Sequence, residues 1–469
     1  MDRPSPVAES FGQLNFGAAQ LGDRRRTARL VALADAIVRH PGGTLPQKLH
    51  SPPDLKALYR LCARPEVTHA ALLKSHCERT LSRIADSQSV VLVLHDTTEL
   101  DFTGHESLVE DLGQIGQGTQ RGYLCHNSLA VDSQQREVIG LTNQILHCRA
   151  EVPAGETQAQ SRQRASRESR LWLAGTASLP ADRNIVDVCD RGADTFEMLE
   201  HELHSARRFV IRSARNRAIW IGHDADTDQP HTLLHDYART LPALGTWILP
   251  IPGGHGRKQR QAVLQVAAAP VLVRAPHVRR GEHRSAPLPL WIVRVWETDP
   301  LADEERLEWL LLTNHPGETF EEARQVVTWY ECRWILEEYH KAQKTGCGIE
   351  TLQFTHVDRL QAALALLSVV ALSLLNLRDA ARRPDARTRP ATDCIGEDYV
   401  AVLSAWRHKR PRMDWSVHEF FMGLARLGGH QNRKRDKPPG WLILWRGWTR
   451  LQAMLDGADA YRHVLKKCG

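Results

Sequence analysis

The spacing of apolar residues changes repeatedly along the chain, and each change marks a predicted element. Up to about residue 85, apolar positions recur at helical intervals between prolines. Arg24 to Arg39 follows Asp23 as N-cap and stops at Pro41-Gly42-Gly43; Ser51-Pro52 opens a second helix ending before Pro65, and Thr68 caps a third. From Ser89 the pattern becomes continuous. Val90 to Leu94 is an unbroken apolar run, as in a strand buried on both faces, and it is expected to deliver Asp96 at its end. Asn127 to Val131 and Val138 to Leu146 predict a hairpin across the turn Asp132 to Glu137, and Ser161 to Gly175 reads as a helix. A second apolar strand, Ile185 to Cys189, delivers Asp190. Asp194 with Glu197 reads as a capping box, which assigns Asp194 to structure, and Phe209 to Arg212 predicts a strand carrying Arg212 outward.

Between about 218 and 307 the texture is β-rich, with short runs at Trp247 to Ile251, Ala262 to Ala267, Val271 to Val273 and Leu290 to Val295 among Pro/Gly turns. Trp309 to Thr313 returns to strand. Leu360 to Leu377 is long and apolar, yet Gln361, Ser368, Ser373 and Asn376 interrupt it, so a buried core helix is favoured over a membrane span. Arg382 to Thr392 reads as a polar linker, and helices complete the chain, with Ser416 and Glu419 as a capping box and Gly428-Gly429 as a stop.

Trp329 to Gly348 carries the densest polar pattern. It lacks Gly and Pro until Gly346 and is rich in Glu, Lys, Gln and Arg, which predicts a helix ended by a glycine C-cap. Tyr330, Arg333, Glu337, Lys341 and Lys344 are spaced by threes and fours, so a helix places all of them on one face. A run of i,i+4 ion pairs would explain such a stripe; so would a surface holding a metal through Glu337 and phosphates through its neighbours.

Composition narrows the class. At 469 residues, 42% hydrophobic and 25% charged, the chain is globular and long enough for several domains. Its net charge is +6, with clusters at Arg24 to Arg26, Arg257 to Arg260, Arg407 to Arg412 and Arg433 to Lys437, which favours an anionic partner. The 9 cysteines form no CxxC pair, and no HExxH motif or zinc-ligand spacing occurs despite 23 histidines, which argues against a zinc enzyme. The N-terminus lacks the basic start and apolar core of a signal peptide, so a reduced cytoplasmic setting is expected. Arg24, Arg25, Arg29, Lys56, Arg60 and Arg64 outward on short helices suit a small DNA-binding module, though a plain bundle with an Arg-rich exterior would share the pattern.

Two strand-end aspartates and a helix glutamate are what a pair of Mg²⁺ ions needs: hard oxygen ligands on rigid elements. The order Asp96, Asp190, Glu337, with Tyr330, Arg333 and Lys344 around the glutamate, resembles the DDE transposases of bacterial insertion sequences. The Tyr-x2-Arg-x3-Glu-x6-Lys spacing is similar to the signature of the insertion-sequence-four family, and the likeness to its Tn-five transposase subgroup covers nearly the whole chain. LGDRRRTARL, HDTTEL, RGYLCHNS, CDRGAD, RRFVIRS, EWLLLT, YECRWILEEYHKAQKTG, ARLGGH and WLILWRGWTRLQAMLDG carry it, in that order.

The resemblance implies an α/β fold: a ribonuclease H-like (retroviral integrase superfamily) catalytic core at 76–380 with a β-rich insertion at about 218–307. A helical DNA-end-binding domain at 1–75 and a helical dimerisation domain at 381–469 would flank it. Asp96, Asp190 and Glu337 would bind two Mg²⁺ ions, with Mn²⁺ able to substitute. Arg212, Tyr330, Arg333 and Lys344 match positions gripping phosphates around a flipped nucleotide, and Lys341 on the same stripe adds a phosphate contact. Trp309 matches a tryptophan that holds transposon DNA, although its periodicity alone fits a core residue. Arg25, Arg26 and Arg29 fall in the region reading transposon ends. The implied activity is cut-and-paste transposition through a hairpin intermediate by a homodimer acting on double-stranded DNA, transposon ends and target alike, in a bacterial nucleoid. A non-transposing Mg²⁺ nuclease and a catalytically silent DNA-binding inhibitor are the alternatives. A truncated inhibitor of the kind the resemblance implies would need a start other than a methionine codon, because no Met lies between Met1 and Met198.

Overall fold

In the computed structural model, which describes residues 9–149, 155–157, 160, 164, 166–222, 231–251, 260–276, 286–300, 306–433 and 439–468, helices at both ends of the chain enclose one large mixed sheet. The chain opens with α1 (Phe11–Phe16), α2 (Arg24–Arg39), α3 (Leu45–Leu49), α4 (Pro52–Cys62) and α5 (His69–Ala85). Local chemistry sets their starts: Asp23, Ser51 and Thr68 each accept a backbone N–H from the first turn of α2, α4 and α5. The short helices α1 and α3 escape a periodicity reading because each is barely more than one turn.

The first half of the sheet is built from β1 (Val91–Asp101), β2 (Gly113–Gln114), β3 (Arg121–Asp132) and β4 (Val138–His147); after α6 (Leu171–Thr176) comes β5 (Ile185–Cys189), then α7 (Phe196–His204) and β6 (Arg208–Arg212). β1 pairs antiparallel with β3 and parallel with β5, and β5 pairs parallel with β6. β1 therefore lies between two partners, which explains its unbroken apolar run. It continues well past Asp96, however, because β3 accompanies it to Asp101 after β5 has ended. Asp96 thus sits mid-strand, not at a strand end. Of the helix predicted from Ser161, part lies outside the described residues; among the described ones from 166 to 176, the α-helix is Leu171–Thr176, after a 3₁₀ turn at Glu168–Arg170.

The β-rich insertion comprises β7 (Ala218–Ile221), β8 (Thr232–Leu233), α8 (Leu234–Thr240), β9 (Gly245–Ile251), β10 (Arg260–Val273) and β11 (Leu288–Glu297), and it returns through β12 (Glu308–Thr313). Its strands extend the same sheet, since β11 pairs with β12 and β12 with β6. Ala262 to Ala267 and Val271 to Val273 read as two strands but form one. Pro270 falls where the second edge of β10 changes partner, from β9 through Val266 to β7 from Val271, a place that tolerates a missing N–H.

Beyond the sheet come α9 (Phe320–Glu331), α10 (Trp334–Lys341), α11 (Val357–Arg382), α12 (Glu397–His408), α13 (Val417–Leu427) and α14 (Trp441–Cys468). α11 is long and apolar enough to cross a membrane by length and composition, yet 82% of its apolar window is buried inside the fold. A helix apolar all round needs neighbours all round. It packs against α2, α4, α5, β4, α10, α13 and α14, and its core is continuous from Phe16 and Leu30 to Leu364 and Trp445. Its polar residues are engaged: Gln361 donates to Tyr123 Oη at 3.0 Å, and Ser368 Oγ accepts from Gln144 and Gln343, each at 3.0 Å. The segment after it is less of a free linker than its polarity suggests, since Ala386 and Ala391 are buried and 3₁₀ turns span Pro384–Arg387 and Ala391–Asp393.

The C-terminal helices hold a core of their own around Trp415, Phe420, Phe421 and Leu451. The capping box of Ser416 and Glu419 starts α13, and Gly428 with Gly429 (φ +103°) ends it. α13 and α14 meet backbone to backbone. A Cβ on Gly447 would lie 2.0 Å from Leu424 O, whereas one on Gly457 meets nothing within 4 Å. Gly447→Ala is therefore expected to cost about 1–3 kcal/mol through overpacking, while Gly457→Ala stabilises its helix by up to about 1 kcal/mol. Thermal unfolding of the two variants checks the contrast; equal midpoints would refute the close packing.

Candidate active site

Three acidic residues from distant parts of the chain meet at one edge of the β1–β5 pair. The parallel register His95↔Cys189 brings Asp96 and Asp190 to neighbouring positions beyond it. Asp96 accepts from Thr97 N at 2.8 Å, and Asp190 caps a 3₁₀ turn by accepting from Gly192 N at 2.9 Å. Burial raises the Asp96 carboxyl to about 6, and the nearby Asp190 charge pushes the same way against the opposing pull of Arg333. Burial also raises Asp190. In a desolvated acidic pair that resists full ionisation, a bound cation would relieve the repulsion.

Glu337 reaches the pair through Arg333, one turn earlier. The Arg333 guanidinium donates to Asp96 Oδ2 at 2.9 Å and to Glu337 Oε1 at 2.5 Å. The oxygens of Asp96, Asp190 and Glu337 do not all fall within 4.8 Å of one another; among the described residues that closeness occurs in a different cluster, His40, His50 and Asp456. The triad is open enough that a single ion would not satisfy all of it without side-chain movement. The donor set, all carboxylate oxygen, suits hard divalent ions.

The helix carrying Glu337 is not the single rod that its composition predicts. α9 begins at Thr319, whose capping box with Glu322 fixes its start, and it ends at Cys332, whose N–H turns back to Trp329 and Tyr330. α10 follows, and Ala342–Gly346 widens into a π-turn. Gly348 (φ +57°), rather than Gly346, takes the left-handed position. Gly346 is needed for space: a Cβ there would lie 2.5 Å from Leu374 Cδ1.

The break and the π-turn distribute the predicted stripe. Tyr330 is only 5% exposed, and its ring lies 5.7 Å from that of Trp309 at 61°. Burial raises the Tyr330 hydroxyl, while Arg333 and Arg212 beside it pull the other way. Arg212 also donates to Glu308 O at 3.4 Å. Lys344 Nζ donates to Glu99 O at 2.8 Å and pairs with Glu350 at 3.1 Å, so it braces the far half of β1. Lys341 is exposed. Trp334 escaped the sequence reading. It is 61% exposed beside Arg333, a large apolar surface facing solvent at the rim of an acidic site. Asp194, read as a cap, instead accepts from Ala214 N at 2.7 Å and Arg215 N at 2.9 Å, while Thr195 caps α7. It remains structural, by a different route.

On the opposite face of β1 and β5 lies a buried charge network. His95 Nε2 meets Asp187 Oδ1 at 2.8 Å, and Arg207 Nε donates to Asp187 Oδ2 at 2.6 Å. Burial alone would raise the Asp187 carboxyl; the bonds to His95 and Arg207 outweigh it and bring it down. Asp187→Ala would remove the shorter of two buried ion pairs of Arg207, leaving only Glu202 at 3.7 Å, and is expected to cost roughly 3 kcal/mol. Chemical denaturation checks it, and a loss below about 1 kcal/mol would contradict the network's role.

The N-terminal helices present Arg24, Arg25 and Arg29 to solvent; Arg25 pairs with Asp23 at 3.0 Å and Arg29 with Asp54 at 3.4 Å. Residues 8–67 match the family model for transposase DNA-binding. The chain carries a transposase DNA-binding region. This supports a transposase that binds DNA, and within that region the arginines differ in standing. Arg25 and Arg29 are exposed and weakly held, as phosphate contacts would be. Arg26 is half-buried, donating to Leu21 O at 2.9 Å and pairing with Glu66 at 2.9 Å, which fixes the turn before α2. Of the other basic clusters, Arg257 to Arg260 and Arg433 to Lys437 lie largely outside the described residues.

Proposed function

We propose that this chain is a DDE transposase of the insertion-sequence-four family, Tn-five subgroup, working by cut-and-paste through hairpin ends. The observation that carries the reading is Arg333, one guanidinium bonded to both Asp96 and Glu337 beside Asp190, in a chain whose N-terminal helices match a transposase DNA-binding model. The mixed sheet supports a ribonuclease H-like core, with parallel β1 and β5 presenting the first two acids. The proposed domains are 1–75 for end binding, 76–380 for catalysis and 381–469 for dimerisation.

Asp96, Asp190 and Glu337 would hold two Mg²⁺ ions, which when bound supply Lewis-acid activation of a water or 3′-hydroxyl and stabilise the leaving oxygen. The protein's own groups do the rest. Arg333 offsets the carboxylate charge of Asp96 and Glu337 and is positioned to turn toward a phosphate when the acids are otherwise neutralised. Tyr330 and Arg212 form a donor pair beside it. Trp309, partly buried against Tyr330, and Trp334, exposed at the rim, offer flat faces to bases displaced from the stack. Arg25 and Arg29 would contact phosphates of the transposon end, so binding should weaken steeply with salt. A homodimer would bring two DNA ends together.

The test is incubation of the full chain with linear DNA carrying the element's own ends and a second target DNA, with Mg²⁺ or with EDTA. Hairpin-ended fragments and joined product, both Mg²⁺-dependent, are expected. Cutting without joining would replace transposase by nuclease; binding without cutting would leave an inhibitor.

A further inference from the structure

The motifs of the sequence offer no zinc site, but folding brings two histidines and an aspartate together from opposite ends of the chain. His40 follows α2, His50 follows α3, and Asp456 lies on α14. The imidazoles of His40 and His50 stack with centroids 4.4 Å apart, His40 Nε2 stands 4.0 Å from Asp456 Oδ1, and one donor atom from each residue lies within 4.8 Å of the other two. Hydrogen bonding does not explain the arrangement. Among the described residues no hydrogen bond occupies either ring or the Asp456 carboxylate, and 4.0 Å is the outer limit of an ion pair. His50 also holds a left-handed backbone (φ +52°), a conformation uncommon outside glycine.

The surroundings fix all three supports. One turn before Asp456, Gln452 donates to Arg39 O, adjoining His40. Between the histidines, the loop packs Gly42 against Trp445 of α14, and the buried Lys48 ammonium donates to Gly43 O. Gly43 O in turn faces the Gly348 position just past the π-turn of the Glu337 helix. The cluster therefore stands at the junction of the DNA-binding helices, the Glu337 helix and the last helix.

We propose that His40, His50 and Asp456 bind a zinc-type divalent transition-metal ion that ties the DNA-binding helices to α14. Two imidazoles and one carboxylate select zinc over magnesium, which prefers oxygen alone. Water supplies the fourth ligand. Bonds of about 2.0–2.1 Å require donors roughly 3.3 Å apart, so binding requires the stacked rings to rotate until a nitrogen of each faces one ion. The site owes nothing to the carboxylate triad and stands whether or not the chain cuts DNA.

The test uses the full chain, stripped by chelator and then dialysed against Zn²⁺ with excess Mg²⁺ present to saturate hard carboxylate sites. Wild type is expected to bind one equivalent of Zn²⁺ more than His50→Asn or Asp456→Asn, or to bind it at least about tenfold more tightly. Asparagine at position 50 tolerates the left-handed backbone, so folding is retained and metal-free melting midpoints verify it. Zn²⁺ should raise the midpoint of wild type alone. Co²⁺ should give visible bands of an imidazole-ligated ion in wild type that both variants lack. Equal Zn²⁺ uptake by wild type and the folded variants would overturn the proposal.

Discussion

Glu337→Gln is expected to abolish Mg²⁺-dependent cleavage and joining while leaving DNA-end binding intact. The substitution keeps the size and the bond to Arg333 but removes the negative charge an ion needs. Losing a single preorganised charge-stabilising group from a catalytic site costs about 10²–10³ in rate, so removing one of three carboxylate ligands should cost at least about 10³, roughly 4 kcal/mol of barrier. End binding should persist because Arg25 and Arg29 lie on α2, remote in sequence from Glu337. Gel shift and cleavage assays on one preparation separate the two effects. A variant that still cuts within tenfold of wild type would remove Glu337 from the chemistry.

The second large effect concerns pH and metal together. The Asp96 carboxyl is raised from 3.8 to about 6. Well below its ordinary value of 3.8 it is protonated both folded and unfolded, and its contribution to stability is fully present. As pH rises toward 6 the unfolded chain ionises first. That contribution is lost by the time pH passes the folded value, an effect on the order of 2–3 kcal/mol. A divalent ion reverses the penalty but must displace the proton to do so. Mg²⁺ or Mn²⁺ should therefore raise the melting midpoint most above pH 7 and progressively less below pH 6, with affinity falling up to about tenfold per pH unit. Asp96→Asn should abolish the metal-dependent rise. A metal effect as large at pH 5 as at pH 8 would contradict it.

Much of this architecture is legible in the chain because local chemistry dictates it. Ile185–Cys189 spans the strand predicted, Asp23 starts α2, and Ser416 with Glu419 starts α13, since a buried run or a cap needs no distant partner. What resisted reading depends on contacts made at a distance. β1 runs past Asp96 only because β3 continues to pair with it. Nothing in the composition of Trp329 to Gly348 foretells a turn at Cys332 or a π-turn at Ala342, nor the close approach of Gly346 to Leu374 on a distant helix. The insertion reads as separate short strands because Pro270 interrupts the pattern, although the sheet carries it. The bond from Arg333 to Asp96 crosses 237 residues, and no spacing rule reaches that far.

Crystals of the full chain with a transposon-end DNA, soaked in Mn²⁺ and measured at the manganese edge, would test the account most directly. It predicts anomalous peaks among the carboxylates of Asp96, Asp190 and Glu337, with Arg333 turned away toward phosphate. Manganese absent from that pocket, with Arg333 still joining Asp96 to Glu337, would contradict it.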